Sequence, residues 1–511
     1  MLQFQFPSSE LAIISILTLF FLILTLKKIK TKHSTPNLPP GPWRLPLLGS
    51  MHHLIGGLPH QKMRDLAEKH GPIMHLQLGE FTNIVISSPE IAKQFLKTHD
   101  SIFAQRPQMS AAKSVTYGYK DVTFAPYGDY WRQLRKISTT ELLAVKRVMS
   151  FRSIREEETT KLIESISSSA NSVINFSRVI TSLTYRMTSR AALGKILKGE
   201  DVFITCLEKI MMELGRGFSI GDAYPSMKWM EMFSMTRIRV DKLQKQLDGI
   251  FESILDEHRA SRKNCNDEDE DEDEEDLVDV LLNLQDNGDL EIPLSDDSIK
   301  ALILDMFLAG VDASAATIEW AMSELIKKPK SIEKTQSEIR NKFKSKQHIN
   351  ESDLQELTYL KLVIKESLRL HPPGPLLARE CREKCVINGY DIPANSKIII
   401  NGWAMGRDSK YWDDPEEFKP ERFVDSLVDF RGNNLEFVPF GSGRRSCPGI
   451  VFGLANVELP LAKLLFHFDW KVVDGLEFED LYMSEEVGVS TRRKFDLCIV
   501  PIPYLHSSSS N

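Results

Sequence analysis

The chain has 511 residues, 42% of them hydrophobic and 26% charged, which allows a large buried core and is an ordinary globular composition. Six cysteines, at 206, 265, 381, 385, 447 and 498, are too few for a secreted disulfide framework, so the setting is reducing and the thiols are free for other chemistry. No basic patch interleaves with aromatics, which excludes a nucleic-acid signature, and the net charge of −7 comes from a single tract.

The first element is LAIISILTLFFLILTL (11–26), sixteen residues without a charge, followed by KKIKTK. As a helix it is about 24 Å long, slightly short of a bilayer span. Phe4, Phe6 and snorkelling Lys27 and Lys28 extend it. No base precedes the run and no small-x-small site follows it, so an anchor is expected rather than a cleaved signal peptide. The positive flank places the remainder in the cytosol. LPPGPWRLPLLG (38–49) is a stiff connector, and IMHLQLG and NIVISSP are short β signals closed by Gly or Pro.

Helical patterns dominate from about 130 to 370, interrupted by DEDEDEDEED at 267–276. Taking those ten acids from the total of 71 leaves 61 against 64 bases, a slightly basic body. Such a run normally repels itself into a solvated loop, with ion or partner binding as the other reading. The longest helix is expected from a Ser295 N-cap to just before Pro329, with an apolar centre, LDMFLAGVDASAATIEW, that crosses the middle of a domain. HPP (371–373) stops the preceding helix, and His371 is not needed as a ligand. CVINGYDIPANSKIIIN (385–401) is a second strand-rich patch with NGY as its turn. The lone C-x₃-C at 381–385 lacks the further ligands of a zinc site. The fold expected is one mainly α domain with small β-sheets behind an N-terminal transmembrane helix.

The stretch FVPFGSGRRSCPGIVFG (437–453) places Cys447 among glycines and arginines. Glycines 441, 443 and 449 let the backbone pass close to a flat ligand. Backbone N–H groups, the Arg445 charge and the N-terminus of a following helix would all favour thiolate over thiol. The spacing F-x-x-G-x-R-x-C-x-G (Phe440, Gly443, Arg445, Cys447, Gly449) resembles the cytochrome P450 haem-thiolate monooxygenases. The resemblance implies haem b with Cys447 as its axial iron ligand and thiolate donation favouring O–O cleavage. Phe440 would shield the sulfur, and Arg445 would reach a propionate. Trp131 and Arg135 in WRQLRK and Arg379 in LLARE match further propionate-binding positions. Glu366 and Arg369 in KESLR with Arg422 in PERF match a structural network. Met306, Ala309, Gly310, Leu376 and Val487 would line the substrate space.

The likeness covers nearly the whole chain. It implies an anchor (1–32), a proline-rich connector (33–50) and a haem-thiolate domain (51–511). It also implies electrons from NADPH through a flavoprotein reductase, with a cytochrome b-type protein as a second donor, and a cytosol-facing place on the endoplasmic reticulum membrane. LPPGPWRLPLLGS, YGDYWRQLRK and YWDDPEEFKPERF look like the plant microsomal branch, in the group with terpene and indole-alkaloid oxidases. Oxygenation of a lipophilic metabolite is therefore expected. Oxidative cyclisation, coupling or desaturation is the alternative, and a haem-binding protein without turnover is a second one.

Two features depart from the family pattern. The usual A/G-G-x-D/E-T-T/S is here Ala309-Gly310-Val311-Asp312-Ala313-Ser314, with the acid present and the following alcohol replaced by Ala313. That alcohol normally holds dioxygen and orders proton-delivering water. Ser314 points about 100° away, so a substrate that orders the water itself, or a reaction begun by oxidising the substrate, is favoured over it. Ala313→Thr is then expected to shift product toward simple hydroxylation rather than markedly raise coupling. The second departure is Leu376-Leu377-Ala378-Arg379, with one residue between the leucine pair and the arginine where the family commonly has two; a shortened haem-facing loop is expected there.

Overall fold

A computed structural model describes residues 18, 36–215, 219–227, 229, 234–264, 275–473, 481–486 and 488–505. The expected anchor lies outside them apart from Thr18, as do residues 267–274 of the acidic tract. The apolar segment after Ser295 forms one helix, Asp296–Lys327, of 32 residues. The Ser295 hydroxyl accepts from the Ser298 N–H at 3.2 Å, which satisfies an otherwise orphaned first-turn donor. Pro329 starts the next helix, where its missing N–H is harmless.

This central helix is covered nearly all round, by Phe176–Leu193 on one side and Ile450–His467 on another. It and Ile450–His467 are long and apolar enough to cross a membrane. Their most apolar windows, however, are 72% and 61% buried within the protein, and they form its core. The pair meets the helix Thr358–Leu370 in a cluster that includes Ile318, Met322, Leu360, Ile364 and Leu461.

The β signals fall into separate sheets. Ile73–Leu78 and Phe81–Ile86 form an antiparallel pair, continued in parallel by Lys397–Asn401 and then antiparallel by Leu376–Glu380. The expected loop before Arg379 is thus a strand, with Leu377 opposite Ile400 and Arg379 opposite Ile398. Pairing to Lys397–Asn401, invisible locally, imposes that conformation. NGY does make a turn, with Asn388 and Gly389 at φ 50° and 80°, closing a small hairpin of Cys385–Ile387 and Tyr390–Ile392. The rest of that patch joins the larger sheet.

The end of the acidic tract is not a solvated loop. Asp276 is buried, caps the helix Leu277–Asn287 by accepting from the Asp279 N–H at 2.9 Å, and meets His258 Nε2 at 2.9 Å. Glu275 pairs with Arg147. Deleting all ten acids would therefore remove a helix cap as well as charge.

The C-terminal loop returns across the central helix and is fastened there. Trp320 Nε1 donates to the Thr491 carbonyl at 2.8 Å, while Thr491 N–H and Oγ1 donate to the Pro373 and Pro372 carbonyls. Arg493 reaches Ser323 Oγ at 3.0 Å. Glu485 accepts from His60 at 2.8 Å, and despite its burial the carboxyl lies far below the usual range because His371 and His60 bind its anion. His371 stacks on Trp320 and pairs with Glu324.

Candidate active site

The sulfur of Cys447 is placed by a loop that doubles back. Cys447 N–H donates to the Phe440 carbonyl at 2.8 Å, across a turn in which Gly441 and Gly443 have φ of 68° and 72°. At Gly443 a Cβ would lie 2.4 Å from the Leu96 carbonyl oxygen, so this glycine lets the loop seat on the neighbouring segment. The helix Ile450–His467 starts directly behind the sulfur with Gly449 as its N-cap.

Cys447 faces a cavity of about 380 Å³. Its walls bring together Trp131, Arg135, Met306, Ala309, Gly310, Asp312, Ala313, Ser314, Leu376, Arg379, Phe440, Arg445, Cys447 and Gly449, residues from distant stretches of the chain. Of the expected wall positions, Gly443 sits behind the lining, and Val487 lies outside the described residues.

Burial pushes the Cys447 thiol up, opposed by the Gly449 N–H and then by Arg135. The Arg445 guanidinium is buried, donates to the Ala104 and Ala125 carbonyls at 2.8 and 2.6 Å, and stacks over Trp131. Arg135 donates to the Ser446 carbonyl at 2.6 Å, beside the sulfur.

On the opposite wall, Asp312 is buried in an ion pair with Arg492 and accepts a hydrogen bond from Ser490. Burial raises its pKa, and Arg492 opposes the rise. Seven residues before it, Asp305 accepts from the Val122 and Thr123 N–H groups at 2.9 and 3.3 Å. Burial and then Asp121 push its carboxyl well above the usual range.

Behind the cavity, Glu366, Arg369 and Arg422 meet as expected. Arg369 makes a two-point pair with Glu366 at 2.8 Å on each side, and Arg422 Nε reaches Glu366 at 2.9 Å. Arg369 also donates to the Gly406, Pro415 and Glu417 carbonyls, stitching the helix Thr358–Leu370 to the segment before the sulfur loop. None of the three lines the cavity.

A sequence model of the cytochrome P450 family matches residues 39–499. The chain belongs to the cytochrome P450 family. It is 63% identical over 514 residues to cytochrome P450 71D445 of Euphorbia lathyris, covering 100% of both chains. It is 48% identical to premnaspirodiene oxygenase of Hyoscyamus muticus (96% of this chain, 98% of the relative). Tabersonine 16-hydroxylase 2 of Catharanthus roseus is 49% identical, with 96% of each covered. A zebra fish cytochrome P450 structure with progesterone matches at a TM-score of 0.76 and 22% identity, covering 88% of this chain and 100% of that one. At that identity the match speaks for the fold.

Cytochromes P450 carry haem iron with an axial cysteine thiolate, and the cavity of this P450 fits that group. Arg106, Arg135, Arg379 and Arg445 all reach its wall. Arg379 is buried, and its Nε has no hydrogen-bond partner among the described residues. Burial, followed by repulsion from Arg106 and Arg445, holds its pKa well below the ordinary value. Arg445 is likewise lowered, to about 9, by burial and Arg106. A cluster of buried cations with an unused donor is what two propionates would neutralise.

Sequence reasoning missed Arg106, Asp305, Ser490 and Arg492. Asp305 had a signal, since it lies seven residues before Asp312 and so on nearly the same helix face. Ser490 and Arg492 had none, because the loop meets the helix only in three dimensions.

Proposed function

We propose that this P450 is a membrane-anchored monooxygenase of the endoplasmic reticulum that inserts oxygen into a lipophilic plant metabolite of the terpenoid or indole-alkaloid class. The observation that carries this reading is one largely apolar cavity with a lone cysteine on one wall and a buried acid on the other. Two relatives named for premnaspirodiene and tabersonine support the substrate class. In the overall reaction a substrate C–H, O₂, two electrons and two protons give the hydroxylated product and water. The electrons come from NADPH through a flavoprotein reductase, with a cytochrome b-type protein as a second donor.

Cys447 would hold the iron, whose thiolate-bound haem supplies the oxygen chemistry. Arg379, Arg445, Arg135 and Trp131 would orient the group through its propionates, and Phe440 would cover the sulfur. Met306, Ala309 and Leu376 would exclude water from the substrate space, Gly310 and Phe452 complete its wall, and Asp312, paired with Arg492, would take up and pass on protons at its carboxylate. On the sulfur side Arg444 is the exposed cation suited to an acidic reductase, whereas Arg445 is buried and cannot take part.

Incubation of terpenoids and indole alkaloids with holoenzyme, reductase, NADPH and labelled O₂ should give product carrying one labelled oxygen. Unlabelled oxidised product would assign cyclisation, coupling or desaturation instead. NADPH-independent haem binding without product from any member would point to a protein without turnover.

Trp43, Leu47, Leu48 and Ile55 are exposed near the connector, forming apolar surface next to the expected anchor. Pro40 O accepts from His75 N–H at 2.8 Å, and a Cβ at Gly41 would fall 2.0 Å from the His75 oxygen, so the connector is pressed onto the sheet. A chain starting at Lys27 is therefore expected to keep its haem spectrum while losing most sedimentation with membranes, with a salt-resistant remainder. Loss of haem in that chain would show residues 1–26 to be part of the fold.

A further inference from the structure

We propose that Ser490 supplies, from the C-terminal loop, the hydroxyl that position 313 lacks, and that it passes protons from Asp312 into the cavity. The proposal rests on the oxygen-activating reading of the site.

Two cavities meet at this point. The apolar one faces Cys447, and a polar one of about 620 Å³ lies on the far side of the C-terminal loop. They share Met211, Asp312, Val489 and Ser490 in their walls. Of these four, only the acid and the serine can carry a proton, and the serine donates to the acid. The second oxygen of Asp312 is held by Arg492, which also reaches Glu208 at 3.4 Å. Glu208 is 44% exposed and lines the same polar cavity as Asp312, so a proton can reach the acid from solvent through that cavity, with Arg492 orienting the carboxylate and not carrying the proton.

The geometry explains how alanine can stand at 313. An alcohol is needed beside the acid because it both donates and accepts, and can take a proton on one side as it releases another. At rest the Ser490 hydroxyl donates to Asp312; when a proton reaches the carboxylate from the polar side, the hydroxyl turns to donate to a water in the apolar cavity, accepts the carboxyl proton at Oγ and releases its own proton to that water. One proton enters and one leaves, with no net charge on the serine. Among the described residues the hydroxyl bonded to Asp312 is that of Ser490 and not that of Ser314. The hydroxyl is held in position by its neighbour, because Thr491 is fastened by Trp320, Pro372 and Pro373.

Full-length holoenzyme with reductase is tested using carbon monoxide, O₂ and NADPH as probes. In wild type the reduced carbon monoxide complex should show the thiolate-type absorbance; its absence would refute the oxygen-activating reading, separately from this proposal. With that absorbance retained, Ser490→Ala should raise the infrared C–O stretch, because a donor near the ligand is lost. It should also raise the ratio of hydrogen peroxide to water formed from O₂ about tenfold, below the usual range of general acid–base effects because water can stand in. Ser490→Thr should preserve both readings. Adding Ala313→Thr to Ser490→Ala should bring both back toward wild type, which repair of a merely structural strap would not do. An unchanged stretch and ratio in Ser490→Ala would overturn the proposal, as would a defect that neither threonine corrects.

Discussion

Cys447→Ser is expected to abolish the thiolate-type absorbance of the reduced carbon monoxide complex while leaving the fold in place. Serine fits the same volume and keeps the backbone bond from residue 447 to the Phe440 carbonyl. Its hydroxyl does not ionise near neutral pH, so the soft anionic ligand that tunes the iron is lost. Burial pushes the thiol up, and iron binding would favour the thiolate along with the Gly449 N–H and Arg135. No other described cysteine can substitute. Cys206, Cys381, Cys385 and Cys498 all lie away from the cavity wall. The spectrum is read on protein of normal far-ultraviolet circular dichroism, and survival of the thiolate band would move the ligand elsewhere.

Glu366→Ala is expected to be the most destabilising single change away from the cavity. The carboxylate is fully buried, and both its oxygens are used by Arg369, Arg422 and the Lys419 N–H. Removing it leaves the buried Arg369 guanidinium without its counter-charge, a situation that typically costs about 3–5 kcal/mol. Carbonyls of Gly406, Pro415 and Glu417 still accept from Arg369, so its donors are not all orphaned, but its charge is. Haem content per polypeptide should fall several-fold, and denaturant unfolding of the soluble remainder should show the loss. Glu366→Asp shortens the reach to two arginines and should fall between. A variant with wild-type stability and haem content would show that the network is dispensable.

The parts of this molecule that could be read from sequence are those whose determinants are local. The Cys447 loop declares itself because turn geometry, close approach and the ligand fall within ten residues. The central helix declares itself through its Ser295 cap, unbroken apolar run and Pro329. The Glu366–Arg369 pair is also local, although only the fold shows it to be buried rather than a solvated surface pair. What escaped depends on distant partners. Leu376–Glu380 is a strand because Lys397–Asn401 pairs with it. The partners of Arg445 are likewise distant, since its guanidinium donates to the carbonyls of Ala104 and Ala125. The Ser490–Asp312 contact joins positions 178 residues apart, and nothing in the periodicity of either segment specifies it.

The crowd of guanidinium groups around Arg379 has a consequence for the life of the chain in the cell. Before haem arrives, Arg379 endures repulsion from Arg106 and Arg445 in a place from which water is largely excluded. A dianionic guest converts that repulsion into attraction, so binding and folding are thermodynamically linked. Free ligand at a thousand times its dissociation constant would add about 4 kcal/mol to the native state. Newly made chains that outrun haem synthesis therefore spend longer partly open and within reach of proteases. Supplying a haem precursor during expression is accordingly expected to raise the yield of protease-resistant enzyme over that of an unsupplemented culture.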